Sequence, residues 1–261
     1  METVLAAVIT GASSGLGAAL AEALARPGVT LHLSGRSAER LNTVAERCRA
    51  RGSVAHARVI DVCDADGMAG WIIGAGRLDL VVANAGITAS SSCVEREGPE
   101  QARAIFATNL GGVLNTVLPA MQVMMAQPPG ADGLRGRIAA IASIAAFMAA
   151  PETPAYCASK AAVDAWMVGS AAEARLRGIA LTSVCPGFIR TPMTAGHRFP
   201  MPGVVDADRA ARIVLRGLAA QRVRVVFPWW MGLAARAVGL LPPRMMAAVT
   251  RRSGQQPAAA A

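Results

Sequence analysis

Val4-Leu5-Ala6-Ala7-Val8-Ile9-Thr10-Gly11-Ala12-Ser13-Ser14-Gly15-Leu16-Gly17 runs an apolar, strand-like segment straight into a glycine-rich turn, with an Ala/Leu-rich helical stretch behind it. The apolar run does not alternate, as a strand covered on both faces requires. Glycines let the turn tighten and let backbone N–H groups approach an anion, which then sits on the positive end of the following helix. A glycine cluster alone is a weak signal. At a strand-to-helix junction opening the chain it points to a dinucleotide pyrophosphate, with Gly11, Ser13, Ser14, Gly15, Leu16 and Gly17 as the expected contacts.

The pattern repeats downstream. Apolar, β-rich runs at residues 29–34, 54–60, 78–83, 137–142, 179–184 and 223–227 join 4–10 to give seven expected strands. Helical stretches are expected to begin near Ser14, Ala38, Asp64, Pro99, Pro154 and Asp206, and residues 127–136, rich in Pro and Gly, read as a loop. Strand-helix alternation with continuous strand hydrophobicity predicts an α/β fold: a doubly wound, seven-stranded parallel sheet with helices on both faces. One domain is expected over residues 1–230. Residues 231–261 form a basic, apolar extension whose end, 251–261, is of low complexity and is expected to be disordered.

Composition narrows the function classes. The chain has 261 residues, enough to bury a sizeable core. Apolar content of 53% and mean hydropathy of +0.39 raise a membrane question. The longest uncharged run, 104–131, is broken by Asn109, Asn115, Pro119 and Gln122 and reads as a buried helix. Strand-like residues begin at Val4 with no basic and apolar leader ahead of them, so no secretory signal is expected. Cys48, Cys63, Cys93, Cys157 and Cys185 are odd in number, widely spaced and never Cys-x-x-Cys, which fits a reducing cytoplasm and predicts neither a disulfide framework nor a metal site. The net charge of +9 lies in the tail: residues 1–208 hold 17 basic and 17 acidic groups, while 209–261 hold nine arginines and no acid. With no basic patch interleaved with aromatics in the body, no nucleic-acid partner is expected.

Tyr156 and Lys160 are the only tyrosine and the only lysine, four apart in Ala-Tyr-Cys-Ala-Ser-Lys. On a helix, positions i and i+4 share a face with Cβ atoms roughly 5–6 Å apart. A phenol ionises near pH 10 and is a poor proton-transfer group at neutrality, but a neighbouring cation favours the phenolate. Arginine, broad and forked, does not replace a compact ammonium there. A surface i,i+4 contact is the competing reading of the pair.

The spacing Gly11-x-x-x-Gly15-x-Gly17 together with Tyr156-x-x-x-Lys160 resembles the short-chain dehydrogenase/reductase superfamily, in its compact single-domain branch with a Rossmann-type sheet. Further matches follow in that family's order. Asp61-Val62 closes the third strand, Asn84-Ala85-Gly86 follows the fourth, and Asn109 lies in the fourth helix. Ser143 ends the fifth strand thirteen residues before Tyr156, and Pro186-Gly187, Ile189 and Thr191 follow the sixth. Singly, each has a structural reading: Asp61 as a helix cap, Asn109 as a helix bend, Ser143 as a turn hydroxyl, Pro186-Gly187 as a strand exit.

The resemblance implies an oxidoreductase interconverting a small-molecule carbonyl and an alcohol, with Asn109, Ser143, Tyr156 and Lys160 as the catalytic set. A nicotinamide cofactor supplies the hydride while Tyr156 exchanges its proton with the substrate oxygen. Lys160 lowers the phenol's pKa and bonds the ribose, Ser143 donates to the same oxygen, and Asn109 holds a water for proton exchange. Asp61 and Val62 face the adenine; Asn84, Ala85 and Gly86 line the nucleotide; Thr191, beside Pro186 and Gly187, clamps the carboxamide, and Pro186, Gly187 and Ile189 are further cofactor contacts. At the end of the second strand the acid typical of NAD enzymes is replaced by Gly35, with Arg36 next, which favours NADP(H) through charge-assisted bonds to a 2'-phosphate; NAD(H) is the alternative. Ser37 is a further candidate donor. The substrate loop, 192–205, with Met193, Phe199 and Met201, and the residues 144–148 predict an apolar or amphiphilic substrate. Arg190 and Arg198 are the nearest candidate cations.

The resemblance also implies a homodimer or homotetramer. The tail from Phe227 is expected to cover the substrate pocket or a subunit interface; the competing reading is peripheral membrane contact through an amphipathic helix. A catalytically silent nucleotide-binding scaffold of the same fold is the alternative function, opposed by the complete catalytic set. An extended-branch epimerase is disfavoured by glycine spacing and length.

Overall fold

The structure, a computed structural model, describes residues 4–88, 97–195 and 201–254. In chain order, β1 (Ala6–Ile9), α1 (Gly15–Leu24), β2 (Thr30–Gly35), α2 (Ala38–Ala50), β3 (Val54–Val59), α3 (Ala65–Ile73) and β4 (Leu80–Ala83) form the first half. The second holds α4 (Pro99–Phe106), α5 (Gly112–Ala126), β5 (Gly136–Ile141), α6 (Pro154–Leu176), β6 (Ile179–Pro186), β7 (Ile189–Arg190), β8 (Val205–Asp206), α7 (Ala207–Ala219), β9 (Arg224–Phe227), α8 (Trp229–Gly239) and α9 (Pro243–Gly254). All seven expected strands form, and the six expected helix starts fall within one residue of the observed ones. Ser37 and Asp64 mark two of those starts because their side chains accept from Arg40 N and Gly67 N, the usual satisfaction of orphan first-turn donors.

Seven parallel strands stand in the order β3-β2-β1-β4-β5-β6-β9. Chain direction reverses its growth between β1 and β4, which opens a crevice at the carboxyl ends of those strands, where sheets of this kind bind ligands. One core layer packs α1, α2 and α7 on the sheet through Leu20, Leu24, Leu41, Val214 and Leu218. The other packs α3, α5 and α6 through Met68, Ile72, Val117, Met124, Val163 and Met167. These two layers hold the sheet between helices in a Rossmann-like single domain.

Strand β3 departs from the expectation of cover on both faces. It is an edge strand with α2 against one side, so Ala55 is buried while Val54 and Val59 are each 55% exposed. The long uncharged run forms the end of α4, a π-helical segment Ala107–Gly111 and α5 without a break, and leaves the helix after Ala126. Of the described residues, only this helix, Pro99–Ala126, is long and apolar enough by length and composition to cross a membrane. Its Val113, Val117, Ala120 and Met124 pack into the core, while Phe106, Leu118 and Met125 are exposed.

The C-terminal part is more ordered than its composition suggests. The expected boundary at 230 falls inside α8, which buries Met231 and Ala235 against Ile144. The helix α9 runs to Gly254, so 251–254, expected to be disordered, are helical; 255–261 lie outside the described residues, as do Cys93, Arg198 and Phe199.

Candidate active site

The first turn of the chain is built around close backbone approach. Gly11 has φ +64, and a Cβ on it would stand 2.8 Å from Ala85 Cα; one on Gly17 would stand 2.4 Å from Gly11 O and 2.6 Å from Asn84 Nδ2. No side chain larger than hydrogen fits either place. Asn84 Nδ2 donates to Thr10 O at 2.9 Å and Gly11 O at 3.2 Å, while Thr10 Oγ1 accepts from Asn84 N at 3.0 Å and Ala85 N at 3.1 Å. Asn84 and Ala85 therefore staple the turn to the end of β4. Thr10 is half of that staple, a role that the sequence reading did not assign.

Ser14 caps α1 without a side-chain hydrogen bond, and no acid occupies the helix's first turn. The first N–H groups of α1 thus lack the side-chain acceptor that most helix starts have, as a site for a ligand anion requires. Ser13 flanks this turn beside Gly35, where an added Cβ would lie 3.1 Å from Ser13 Cβ. Leu16 is buried. Thr191 closes the other side: its methyl carbon would lie 3.0 Å from a Cβ on Gly15. The turn, the end of β2 and the segment after β6 thus line one crevice that fits a dinucleotide pyrophosphate.

Arg36 follows β2 directly and is exposed. Ser37, by contrast, is committed to its helix cap. Asp61 is exposed, and its Oδ1 accepts from Cys63 N at 2.9 Å; the helix cap that was its structural reading falls to Asp64 instead. Val62 is buried; its side chain presses on Gly112, where a Cβ would lie 2.5 Å from Val62 Cγ2, and its carbonyl accepts from Asn115 Nδ2 at 2.9 Å.

The proton-transfer candidates meet at the carboxyl ends of β4 and β5. Ser143, just past β5, is buried, accepts from Ala145 N at 3.1 Å and lies close enough to the Tyr156 phenol to act on its ionisation. Lys160 is 4% exposed and donates from Nζ to Ile141 O at 2.7 Å, with Nζ 5.9 Å from the centroid of the Tyr156 ring. Gly86 abuts this cluster: a Cβ there would be 3.1 Å from Asn109 Oδ1 and 3.4 Å from Lys160 Nζ. Asn109 is fully buried in the π-helical segment, accepts from Ile87 N at 2.8 Å and donates from Nδ2 to Ile87 O at 2.9 Å and Ser159 Oγ at 3.1 Å. Ser159 Oγ in turn donates to Tyr156 O at 2.8 Å. The Asn109 amide is thus used to lock the strand exit to α6. In place of the bend that was its structural reading, the helix carries a π segment there, which widens its turn.

Two further groups hold α6 in place. Thr153 caps it without a side-chain bond, but Glu97 supplies the missing acceptors, Oε2 to Ala155 N at 2.5 Å and Oε1 to Tyr156 N at 3.2 Å. Nothing in the sequence flags Glu97, because its partners lie nearly sixty positions downstream. At the next turn beyond Lys160, Asp164 takes both forks of Arg224, Nε to Oδ1 at 2.9 Å and Nη2 to Oδ2 at 2.7 Å, and accepts from Ser183 Oγ at 2.6 Å and from Cys185 Sγ at 3.3 Å. Burial pushes the Asp164 carboxyl up, but these hydrogen bonds, led by Arg224, more than offset it and leave the pKa below the ordinary value.

The electrostatics of the pair differ from the sequence expectation. Burial pushes the Tyr156 phenol above its usual value, partly offset by the neighbouring Ser143 hydroxyl, and burial pulls the Lys160 ammonium down to about 8. The ammonium is aimed at the Ile141 carbonyl, so desolvation outweighs the expected lowering of the phenol.

Beyond β6, Gly187 N donates to Phe227 O at 2.7 Å, and Ile189 is buried in a two-residue ribbon of β7 with β8. This ribbon, absent from the sequence reading, pins both ends of the substrate-loop candidate. Arg190 is taken by Asp206 at 2.9 Å and both are largely exposed, so it is not held for a ligand carboxylate. Phe147, Met148, Phe188 and Val226 pack around Ile144, Met231 and Ala235 next to Ser143, which gives the mouth an apolar wall.

The short-chain dehydrogenase family model matches residues 5–200. An uncharacterized oxidoreductase of Myxococcus xanthus is 34% identical over 253 residues, covering 94% of this chain and 96% of its own length. One from Staphylococcus epidermidis is 32% identical, covering 81% and 90%. Among solved structures, a short-chain dehydrogenase from Sphingobium yanoikuyae in complex with NADPH has TM-score 0.77 at 26% identity, covering 91% of this chain and 95% of that one. Actinorhodin polyketide ketoreductase with NADPH, at 24% identity and TM-score 0.75, shares the fold. With a family match over most of its length and a relative of this similarity spanning nearly all of it, the chain belongs to the short-chain dehydrogenase/reductase family of oxidoreductases.

Proposed function

We propose that the protein is an NADP(H)-dependent oxidoreductase that interconverts a ketone or aldehyde and its alcohol, with Tyr156 as the proton donor and acceptor. The observation that carries this reading is the meeting of Ser143, Tyr156 and Lys160 at the end of β5, with the buried ammonium 5.9 Å from the centroid of the phenol ring and Gly86 packed against it. A nicotinamide cofactor supplies the hydride in such chemistry. The turn at Gly11 to Gly17 would hold its pyrophosphate, Asp61 and Val62 its adenine end, and Gly86, Pro186, Gly187, Ile189 and Thr191 its nicotinamide end.

A phenol pushed above its ordinary pKa stays protonated at neutral pH, which suits a general acid toward a carbonyl oxygen. Ser143 places a second donor against that oxygen, where charge develops. Lys160, near 8, is poised to give up and regain a proton at working pH and to bond ribose hydroxyls. The exposed Arg36 after β2, in place of an acid, supports NADP(H) over NAD(H). The apolar wall of Phe147, Met148 and Phe188 supports an apolar or amphiphilic substrate. Association of the chain into dimers or tetramers belongs to the same proposal.

Tyr156→Phe tests it. NADPH should bind the variant within about twofold of wild type, because the lost hydroxyl faces the substrate, while carbonyl reduction should fall by about a hundredfold or more, as loss of a general acid does. Retained turnover removes Tyr156 from the proton-transfer role.

A further inference from the structure

The helix α8 has two apolar faces. Its inner face, Met231 and Ala235, closes on Ile144, and a Cβ on Gly203 of the substrate loop would meet Trp230, Pro228 and Met231 within 3.4 Å. The sequence expectation that the tail covers the pocket is consistent with this face. The outer face has no such partner among the described residues: Trp229 is 71% exposed, Leu233 55% and Leu240, just past the helix, 87%. Every exposed residue from Trp229 to Leu240 is Trp, Leu, Ala or Gly. Exposed Arg244 and Met245 continue the pattern on α9. A contiguous apolar face of this kind marks an interaction site.

Charge selects the occupant. Residues 209–261 hold nine arginines and no acid, against a balanced 1–208. Arg236 lies beside the face, 4.1 Å over the Phe147 ring, and Arg244 stands at the start of α9. A second copy meeting this face with its own would bring like charges together. An anionic bilayer supplies what the face lacks, acyl chains for Leu233 and Leu240, an interfacial zone for the two tryptophans and negative headgroups for the arginines.

We propose that the outer face of α8 and the start of α9 dock on an anionic lipid surface. The inner face of the same helix borders the apolar wall beside Ser143, so docking brings the site's mouth next to the bilayer. An acyl-chain carbonyl dissolved there would reach the site without crossing bulk water. That consequence for the substrate rests on the reductase reading; the docking does not.

Flotation of the full chain with vesicles tests the docking without any turnover. The protein should float with phosphatidylcholine vesicles containing phosphatidylglycerol and remain behind with phosphatidylcholine alone. The bound fraction should drop severalfold as salt rises from about 0.1 M to about 1 M, over which the Debye length falls from about 10 to about 3 Å. Trp229→Ser with Leu233→Ser should abolish flotation while reduction of a water-soluble ketone and NADPH binding persist. Arg244→Glu, a milder exposed change, should weaken vesicle binding by about fivefold or more. Failure of wild type to float with anionic vesicles, or equal flotation of both variants, overturns the proposal. Sedimentation without lipid decides against it in another way: a wild-type oligomer that the double serine variant dissociates assigns the face to a second copy. Loss of turnover in Tyr156→Phe with flotation intact separates the two readings.

Discussion

At the scale of single residues, the site depends on side chains that are missing as much as on those present. Gly17 admits no Cβ, and Gly35, on which a Cβ would press against Ser13, puts no acid at the end of β2; Arg36 beside it is exposed. Arg36→Ala should therefore raise the Kd and KM for NADPH by about tenfold or more, the loss of a charge-assisted bond to phosphate, and leave NADH nearly unaffected. The ratio of kcat/KM for the two cofactors checks it; an unchanged ratio removes Arg36 as the selector. Ser143, Tyr156 and Lys160 were legible because each departs from composition or stands at a strand end in the right order. Thr10 and Glu97 were not: one looked like the last strand residue, and the other reaches α6 from a distant loop through contacts that only the folded chain creates. The sign of the Tyr156 shift was also illegible, because spacing reports that a cation is near but not how much water the fold removes from both groups.

At the scale of elements, α6 is the part that aligns the chemistry, and it is tied at three levels: Glu97 at its start, Ser159 to Asn109 one turn in, and Asp164 to Arg224 a turn past Lys160. Asp164→Asn should cost about 2 kcal/mol, below the 3–5 kcal/mol range for breaking a fully buried pair because Arg224 keeps about a third of its surface in water. Urea unfolding midpoints measure this. The pH dependence has a fixed sign. The folded pKa of Asp164 lies below its unfolded value, so its contribution is full above about pH 4 and is lost as pH falls through the folded value. The gap between wild type and variant should close in acid. Strand and helix positions were readable because parallel strands demand unbroken apolar runs and helices announce themselves with Ser, Asp or Pro. The β7–β8 ribbon and the π segment at Asn109 were not, since two-residue pairings and one-residue insertions leave no periodic trace.

For the whole molecule, the decisive coupling runs from the tail to the carboxyl end of β5. A Cβ on Gly239 would stand 2.0 Å from Phe147 O, a backbone atom four residues past Ser143, so α8 rests on the short 3-10 turn that follows Ser143. Gly239→Val should push the helix away and raise substrate KM by about tenfold or more, since a misplacement near 1 Å can cost about a hundredfold, with NADPH affinity unchanged. Equal KM values would show that the tail is a bystander. The split of charge between a neutral body and an arginine-only tail was plain in the sequence, but composition could not say which face of α8 the protein would cover. The order of strands adds a consequence in time. The glycine turn with β1 to β4 is translated first, later strands accrete on one edge in succession, and α8 leaves the ribosome after the last of them. Domains form as units during synthesis. A nascent chain would thus hold its amino-terminal cleft unfinished until the last strand and α8 have cleared the exit tunnel, and competence to bind and to react would arrive together.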